Sequence, residues 1–203
     1  MTSELGGRVF VVDDDPLVRS SIEMTLSAAG FMTEKFASGT HFLACVTPSY
    51  VGCLLADVRM PGIDGLELQL ELSRLNLPIS TIIMTGHADV PLAVRAIKNG
   101  AIDILEKPFR RDRLLVQVAS AISMAQMKLI QIQAAEADLT RLEMLTDRER
   151  EVARFLAFGR TTKEIAKALG VSPRTIEIHR ARVMQKLCVD SLPALVRVVR
   201  AIH

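Results

Sequence analysis

The sequence predicts a doubly wound α/β domain with a five-stranded parallel sheet, followed by a long linker helix and a small all-α helix-turn-helix domain. Strand-like and helix-like segments alternate along the front half of the chain. No glycine or proline occurs from Arg111 to Leu145, which favours one long helix. Beyond Met144 the apolar spacing is helical and is interrupted by glycine and proline. We therefore predict domains at residues 1–120 and 144–203, joined by a linker helix at 121–143.

Composition favours two small soluble domains. The chain has 203 residues, of which 49% are apolar, against a usual domain size of roughly 100–150 residues. Residues 1–122 hold 11 Lys and Arg against 14 Asp and Glu (net −3), and residues 123–203 hold 14 against 9 (net +5). No uncharged apolar run approaches the ~18 residues that span a bilayer, and the N-terminal MTSELGGR lacks a signal-peptide pattern. We expect a cytoplasmic protein that does not enter a membrane.

The front half contains three strongly apolar runs that predict strands, namely RVFVV, VGCLLA and ISTIIMT. Shorter strands are predicted near residues 31–36 and 102–105, with amphipathic helices at 16–29, 65–75 and 90–99. Because the strands are continuously apolar, we expect a parallel sheet covered by helices on both faces. Ligands of such sheets bind beyond the carboxyl ends of the strands.

Polar side chains stand where the predicted strands end. Asp13 and Asp14 follow the first strand, Asp57 follows the third, Thr85 ends the fourth and Lys107 follows the fifth, so they should converge on one edge of the sheet. Three crowded carboxylates repel one another unless a cation neutralises them, and an open all-oxygen site suits Mg²⁺. The Asp57 carboxylate can then attack a phosphoryl group, while Mg²⁺ and the Lys107 ammonium offset charge on the transferred oxygens.

The turn after Asp57 suits the close approach of a ligand. Pro61 fixes φ, and Gly62 and Gly65 permit tight or left-handed backbone. The backbone carbonyl of Arg59 can serve as a further metal ligand.

The stretches VVDDD, ADVRMPGIDG, IIMTGHAD and EKPF resemble the receiver domain of two-component response regulators, over residues 7 to about 120. This resemblance implies a flavodoxin-like, CheY-like fold. It also implies that Asp57 accepts a phosphoryl group from a histidine kinase and that Thr85 and Lys107 sense the phosphoryl oxygens. The implied ligands of Mg²⁺ are the side chains of Asp13, Asp14 and Asp57 and the backbone carbonyl of Arg59.

One position departs from the pattern of that family. Three residues before Lys107, where an aromatic switch residue usually stands, this chain has Ile104. An aromatic flip cannot be carried over to this chain. We expect movement of the Thr85 loop and repacking of Ile104 to couple the site to the rest of the domain.

The predicted long helix has a possible coiled-coil seam. Positions spaced by four and three residues are apolar apart from one glutamate: Val118, Ile122, Ala125, Leu129, Ile132, Glu136 and Leu139. This spacing is typical of a dimerising coiled coil. With so few heptads, it fits equally a helix that packs on its own domain at the start and lies exposed afterwards.

The final segment predicts four short helices. Thr146 and Glu149 form a capping box, Gly170 ends one helix, and Ser172 caps the next, which has Pro173 at its first position. The apolar stripe of this later helix comprises Ile176, Ile178, Val183 and Leu187. Its predicted exposed face, which suits the major groove of DNA, comprises Arg174, Thr175, Glu177, His179, Arg180, Arg182 and Lys186.

The back half, including SPRTIEIHRARVM and SLPALVR, resembles the helix-turn-helix domains of the NarL/LuxR class, and the whole chain is similar to FixJ-type regulators. The resemblance implies a transcription regulator that dimerises on phosphorylation, binds two half-sites of double-stranded DNA and acts with RNA polymerase. The helix from Pro173 to about Leu187 would read DNA. Its implied contacts are above all Arg174, Thr175, Glu177, His179 and Arg182.

Two other functional classes fit part of the sequence. A magnesium-dependent phosphohydrolase of small molecules would need the same nucleophile, metal and lysine, but the C-terminal helices argue against it. We expect no enzymatic activity beyond the receiver's own phosphotransfer and dephosphorylation. An output domain for RNA or protein also fits a basic helix pair, although Phe155 and Phe158 are the only aromatic residues there that could stack on bases.

Overall fold

The structure, a computed structural model, describes residues 7–200. The chain forms two compact units, the first ending at Ile130 and the second starting at Gln131. The boundary between them falls inside one continuous helix, Arg111–Glu143.

A five-stranded parallel sheet forms the centre of the first unit. Its strands are β1 (Arg8–Val12), β2 (Met32–Phe36), β3 (Gly52–Asp57), β4 (Ile79–Thr85) and β5 (Asp103–Glu106). Their spatial order is β2-β1-β3-β4-β5, so the order reverses between β1 and β3. The predicted doubly wound fold is therefore confirmed, and sheets of this order bind ligands in the crevice beyond the carboxyl ends of the two strands at the reversal, here β1 and β3.

The strands are continuously apolar because helices cover both faces of the sheet. Every residue of β3 and β4 is buried. Successive side chains of a strand point to opposite faces, so Phe10 and Leu54 pack into one core cluster while their neighbours Val11 and Leu55 pack into another. The two clusters together hold the sheet between its helices.

Five helices flank the sheet in the described part of this unit: α1 (Pro16–Ser27), α2 (Gly39–Cys45), α3 (Gly65–Arg74), α4 (Val90–Lys98) and α5 (Arg111–Glu143). Helix α2 is absent from our sequence prediction, because seven residues are too few to establish a helical period. Its one sequence signal is Ser38, whose side chain caps the helix by accepting a hydrogen bond from the His41 amide.

The N-terminal part of helix α5 packs its apolar face into the core of the first unit. Of the seam positions, Val118, Ile122 and Ala125 are buried, Leu129 and Ile132 are half-buried, and Leu139 is exposed. The first positions of the predicted seam therefore belong to the core of their own unit. Dimerisation through the later positions stays a prediction.

The same helix bears on our expectation that the protein does not enter a membrane. An 18-residue window of α5 has a mean hydropathy of 1.3, which by length and composition alone is enough to cross a bilayer, and 22% of it is buried. This part of α5 is so apolar because Lys128 is the only charged residue between Arg113 and Glu136. A single helix of this kind is weak evidence for a membrane span, because helices of soluble proteins can have the same length and composition.

The second unit contains α6 (Asp147–Ala157), α7 (Thr162–Leu169), α8 (Pro173–Lys186) and α9 (Leu192–Arg200). The capping box of Thr146 and Glu149 forms as predicted, Gly170 ends α7 in the left-handed region at φ 65°, and Ser172 caps α8. All four helices share one apolar core. The predicted helix, tight turn and helix are therefore present as α7 and α8.

One member of the predicted apolar stripe of α8 is wrong. Ile176 and Val183 are fully buried, but Ile178 is 48% exposed. Two residues along an α-helix turn through about 200°, so Ile178 cannot share the face of Ile176. It lies instead on the outer face of α8.

We expect Gly65→Ala to destabilise the first unit by about 1–3 kcal/mol, because the new Cβ would lie 2.3 Å from the Asp57 carbonyl oxygen. Gly86→Ala is the matched control and should change stability by less than about 0.5 kcal/mol, since the nearest atom to its Cβ is an Arg59 side-chain nitrogen at 3.9 Å. Urea unfolding followed by the fluorescence of Tyr50, the only tyrosine in a chain without tryptophan, reports this unit alone. Equal stability of the two variants would contradict the steric argument.

Candidate functional site

Three of the predicted site residues meet at the carboxyl edge of the sheet. The Lys107 ammonium donates hydrogen bonds to Asp13 Oδ2 at 2.6 Å and to Asp57 Oδ1 at 2.5 Å. Asp13 and Asp57 are 1% and 8% exposed. One cation therefore serves two carboxylates that are largely withdrawn from water, and the cluster keeps an excess of negative charge.

The ionisation of Lys107 reflects two opposing influences. Burial of the ammonium lowers the pKa of Lys107, but hydrogen bonds and charge from Asp13 and Asp57 together outweigh burial, and the pKa lies above its ordinary value. Lys107 is therefore a cation at neutral pH, and it can offset negative charge that arrives beside Asp57.

Asp57 is held by the turn that follows β3. Its Oδ2 accepts a hydrogen bond from the Arg59 backbone N–H at 2.7 Å. Gly62 has the left-handed φ of 82° that the sequence predicted, and the Gly65 N–H donates to the Val58 carbonyl at 3.3 Å. The chain therefore turns tightly after Asp57 and fixes the direction of its carboxylate.

The acidic run after β1 divides into three roles. Asp13 accepts a hydrogen bond from the Asp15 N–H at 2.9 Å, and Asp15 caps α1 by accepting from the Leu17 N–H at 2.8 Å. Asp14 is exposed. Within residues 7–200, no group of three or more His, Cys, Asp or Glu side chains is arranged to hold a metal ion. Hydrogen bonds to Lys107 therefore join Asp13 and Asp57, whereas Asp14, the next residue after Asp13, is open to solvent.

Thr85 lies at the predicted edge but interacts with its own loop. It is 2% exposed, and its hydroxyl donates to the His87 carbonyl at 3.0 Å and accepts from the His87 N–H at 3.2 Å. Ile104, the predicted switch position, is half-buried and packs against the core cluster that contains Phe10.

Helix α8 presents most of the predicted nucleic-acid contacts on its outer face. The exposed ones are Arg174, Glu177, Arg180 and Arg182, and the partly exposed ones are Thr175, His179 and Lys186. The Thr175 hydroxyl lies 2.8 Å from the Ser172 hydroxyl and so takes part in the cap of the helix. The exposed set carries three guanidinium groups and one carboxylate.

Lys186 has a different position from the one we predicted. Its ammonium donates to Glu149 Oε2 at 2.6 Å and to the Met144 carbonyl at 3.1 Å. Glu149 is 3% exposed, and the pair joins the start of α6 to the end of α8. We therefore assign Lys186 to the internal structure of the unit rather than to the DNA-facing set.

Comparison with known proteins agrees with this geometry. Residues 9–119 match the response regulator receiver domain, and residues 143–199 match the bacterial regulatory proteins of the luxR family. The transcriptional regulatory protein FixJ of Bradyrhizobium diazoefficiens is 44% identical over 191 residues, which cover 94% of this chain and 93% of that protein. The chain belongs to the response regulators. It combines a receiver with a LuxR-type DNA-binding domain and is a FixJ-like transcriptional regulator.

Other relatives match the regulator over nearly its whole length. FixJ of Rhizobium meliloti is 42% identical over 200 residues, covering 95% of each chain. The solved structure of the response regulator StyR covers 96% of this chain and 98% of its own, at 37% identity and a TM-score of 0.77. Full-length FixJ from B. japonicum covers 96% of each chain at 42% identity and a TM-score of 0.58. Receiver domains generally bind Mg²⁺ at the acidic pocket, and this architecture implies a histidine kinase and DNA as partners.

The buried Glu149 makes the second unit sensitive to acid. Hydrogen bonds from the Lys186 ammonium and then from the Thr146 backbone N–H lower the pKa of Glu149 from 4.5 to about 2. Because the folded pKa lies below the unfolded value, ionised Glu149 stabilises the fold above pH 4.5, and this contribution is lost as the pH falls towards 2.

We expect Glu149→Gln to destabilise the second unit at pH 7 by about 1.5–3 kcal/mol, the range for hydrogen bonds to charged groups, and by progressively less below pH 4.5. Thermal unfolding followed by circular dichroism measures this, with Tyr50 fluorescence identifying the transition of the first unit. Glu151→Gln is the control, because Glu151 is 47% exposed and pairs only at the surface with Arg148. A deficit that is the same at pH 7 and pH 3 would rule out the ionised pair as its cause.

Proposed function

We propose that Asp57 accepts a phosphoryl group from a histidine kinase and that the phosphorylated regulator dimerises, binds two DNA half-sites and acts with RNA polymerase in the cytoplasm. The observation that carries this proposal is the buried cluster of Asp13, Lys107 and Asp57 at the crevice between β1 and β3. A nucleophile, a second carboxylate and a counter-charge lie there within hydrogen-bonding distance of one another.

The chemistry is a single displacement at phosphorus. A carboxylate oxygen of Asp57 attacks the phosphorus of a phosphohistidine, the P–N bond breaks, and the P–O bond of an acyl phosphate forms. The imidazole leaves and takes up a proton. The Arg59 N–H orients the carboxylate, and the Lys107 ammonium, already 2.5 Å from Asp57 Oδ1, offsets the charge on the incoming oxygens.

The donors at this edge fit Mg²⁺. Asp13, Asp14, Asp57 and the Arg59 carbonyl offer only hard oxygen atoms, and one ammonium between two buried carboxylates leaves negative charge for a further cation to neutralise. When bound there, Mg²⁺ supplies positive charge to the transferred phosphoryl oxygens.

The DNA-binding surface is the outer face of α8. The half of the chain that contains it has a net charge of +5, and Arg174, Arg180 and Arg182 are exposed along the helix. Guanidinium groups in such an array bind phosphates and guanine edges. The partly exposed Thr175 and His179, together with the exposed Glu177, complete the surface that enters the major groove.

We expect acetyl phosphate with Mg²⁺ to add one phosphoryl group to the wild type and none to Asp57→Asn, as measured by intact-mass spectrometry. Asp64→Asn is the control, because it lies in the same turn and asparagine caps a helix as well as aspartate does. It should be phosphorylated like the wild type, and the modification should stop at one group per chain. Equal phosphorylation of Asp57→Asn would place the acceptor elsewhere.

We expect Arg182→Ala to weaken binding to a duplex of random sequence at every salt concentration, and to lower the slope of log K against log salt by about one per bound chain. Fluorescence anisotropy of the phosphorylated protein measures both quantities. Arg154→Ala on α6 removes the same charge from an exposed position outside the α7–α8 pair and should change the slope little. Equal effects of the two substitutions would mean that α8 is not the DNA-facing helix.

A further inference from the structure

The β4–α4 loop, residues 86–89, is held by hydrogen bonds from two strands. From the end of β4, the Thr85 hydroxyl bonds both backbone groups of His87 at 3.0 and 3.2 Å. From the end of β5, Glu106 Oε1 accepts a hydrogen bond from the Ala88 N–H at 3.2 Å. The second contact comes from a residue that has no role in the proposed phosphotransfer.

Glu106 is linked to the acidic cluster through the chain. It pairs with Thr85 in the register of β4 and β5, and the next residue, Lys107, donates its backbone N–H to the Thr85 carbonyl at 2.7 Å. The Lys107 side chain enters the cluster, while the Glu106 side chain is exposed and reaches Ala88. Two neighbouring side chains therefore join the phosphoacceptor cluster to the loop.

We propose that Glu106 is a positioning residue that holds the β4–α4 loop closed in the unphosphorylated regulator. In the closed loop the Thr85 hydroxyl donates its only hydrogen to the His87 carbonyl, so it must leave that carbonyl before it can donate to a phosphoryl oxygen on Asp57. Release of Ala88 from Glu106 lets the loop follow Thr85. This inference rests on the proposed acceptor role of Asp57.

The loop provides a route for the signal that needs no aromatic ring. It leads directly into Asp89, the N-cap of α4, whose side chain accepts from the Leu92 N–H at 2.7 Å. Every residue of the loop from Gly86 to Asp89 is exposed, so no buried packing holds it besides the hydrogen bonds described. Movement of the loop therefore reaches α4, while Ile104 only repacks within the core.

Hydrogen exchange of the Ala88 amide, measured by NMR on the unphosphorylated full-length protein, tests this contact directly. Glu106→Ala should speed exchange of this amide about threefold to tenfold, the effect of one solvent-exposed hydrogen bond of ordinary strength. Glu106→Gln, which keeps an oxygen acceptor, should stay near the wild type. Glu34→Ala, which removes a strand glutamate paired with Arg8 at 3.3 Å, should leave Ala88 unchanged. Unaltered exchange in Glu106→Ala would overturn the proposal.

The rate of phosphorylation by acetyl phosphate separates the proposed role of Glu106 from the proposed role of Asp57 as phosphoacceptor. Glu106→Ala should accumulate acyl phosphate about threefold to tenfold faster than the wild type and Glu106→Gln, with Asp57→Asn as the zero. If the wild type takes no phosphoryl group at Asp57, the proposed function fails, and the exchange of Ala88 still decides whether Glu106 holds the loop. If the wild type is phosphorylated and Glu106→Ala matches it, Glu106 does not control the loop.

Discussion

The ammonium of Lys107 between the carboxylates of Asp13 and Asp57 is the interaction on which the functional edge of this protein depends. Carboxylates withdrawn from water repel each other and take up protons unless a cation lies between them. Lys107 follows β5, and its ammonium supplies that cation at 2.6 Å from the Asp13 carboxylate and 2.5 Å from the Asp57 carboxylate. The strand order β2-β1-β3-β4-β5 creates the place for it, because β1 and β3 are neighbours and their carboxyl ends open on one crevice. Because a single ammonium leaves negative charge uncompensated, the cluster is suited to a further cation and to phosphoryl chemistry.

In the second unit a buried carboxylate also pairs with a lysine, but there the two charges balance. Glu149 accepts from the Lys186 ammonium and from the Thr146 N–H, so one carboxylate meets one ammonium and a helix cap. The charges balance, and the pair fixes α6 against α8. The outer arginines of α8 remain exposed. The cluster of three groups therefore keeps uncompensated charge, whereas the balanced pair of Glu149 and Lys186 joins two helices.

The sequence determines much of the fold and of the site through local patterns. Continuous apolar runs identified β1, β3 and β4, and polar residues at the strand ends identified the edge that holds Asp13, Asp57 and Lys107. Side-chain contacts between residues far apart in the sequence could not be predicted. Lys186 has the appearance of a DNA-facing lysine until its contact with Glu149, 37 residues away, is known. Glu106 has the appearance of a solvated strand glutamate, because its partner Ala88 is brought to it only by the pairing of β4 and β5.

Helical position explains the remaining differences. We predicted Ile178 in the apolar stripe because its side chain is apolar, but the helical period places it on a different face from Ile176 and Val183. The predicted seam of α5 has the spacing of a coiled coil, but spacing alone does not determine which surface a helix packs against. Its first positions cover the core of their own unit. Ile104 marks where the family pattern fails, and the two hydrogen-bonded ends of the β4–α4 loop supply a physical alternative to an aromatic switch.

We propose that charge arriving at Asp57 controls the binding of DNA by the second unit. Sedimentation velocity of the full-length protein with labelled promoter fragments, Mg²⁺ and beryllofluoride as a phosphoryl mimic tests it most directly. The mimic should convert the wild type to a DNA-bound dimer and leave Asp57→Asn unaffected. If the wild type and Asp57→Asn sediment alike with the mimic, Asp57 is not the switch, and DNA binding is controlled in another way.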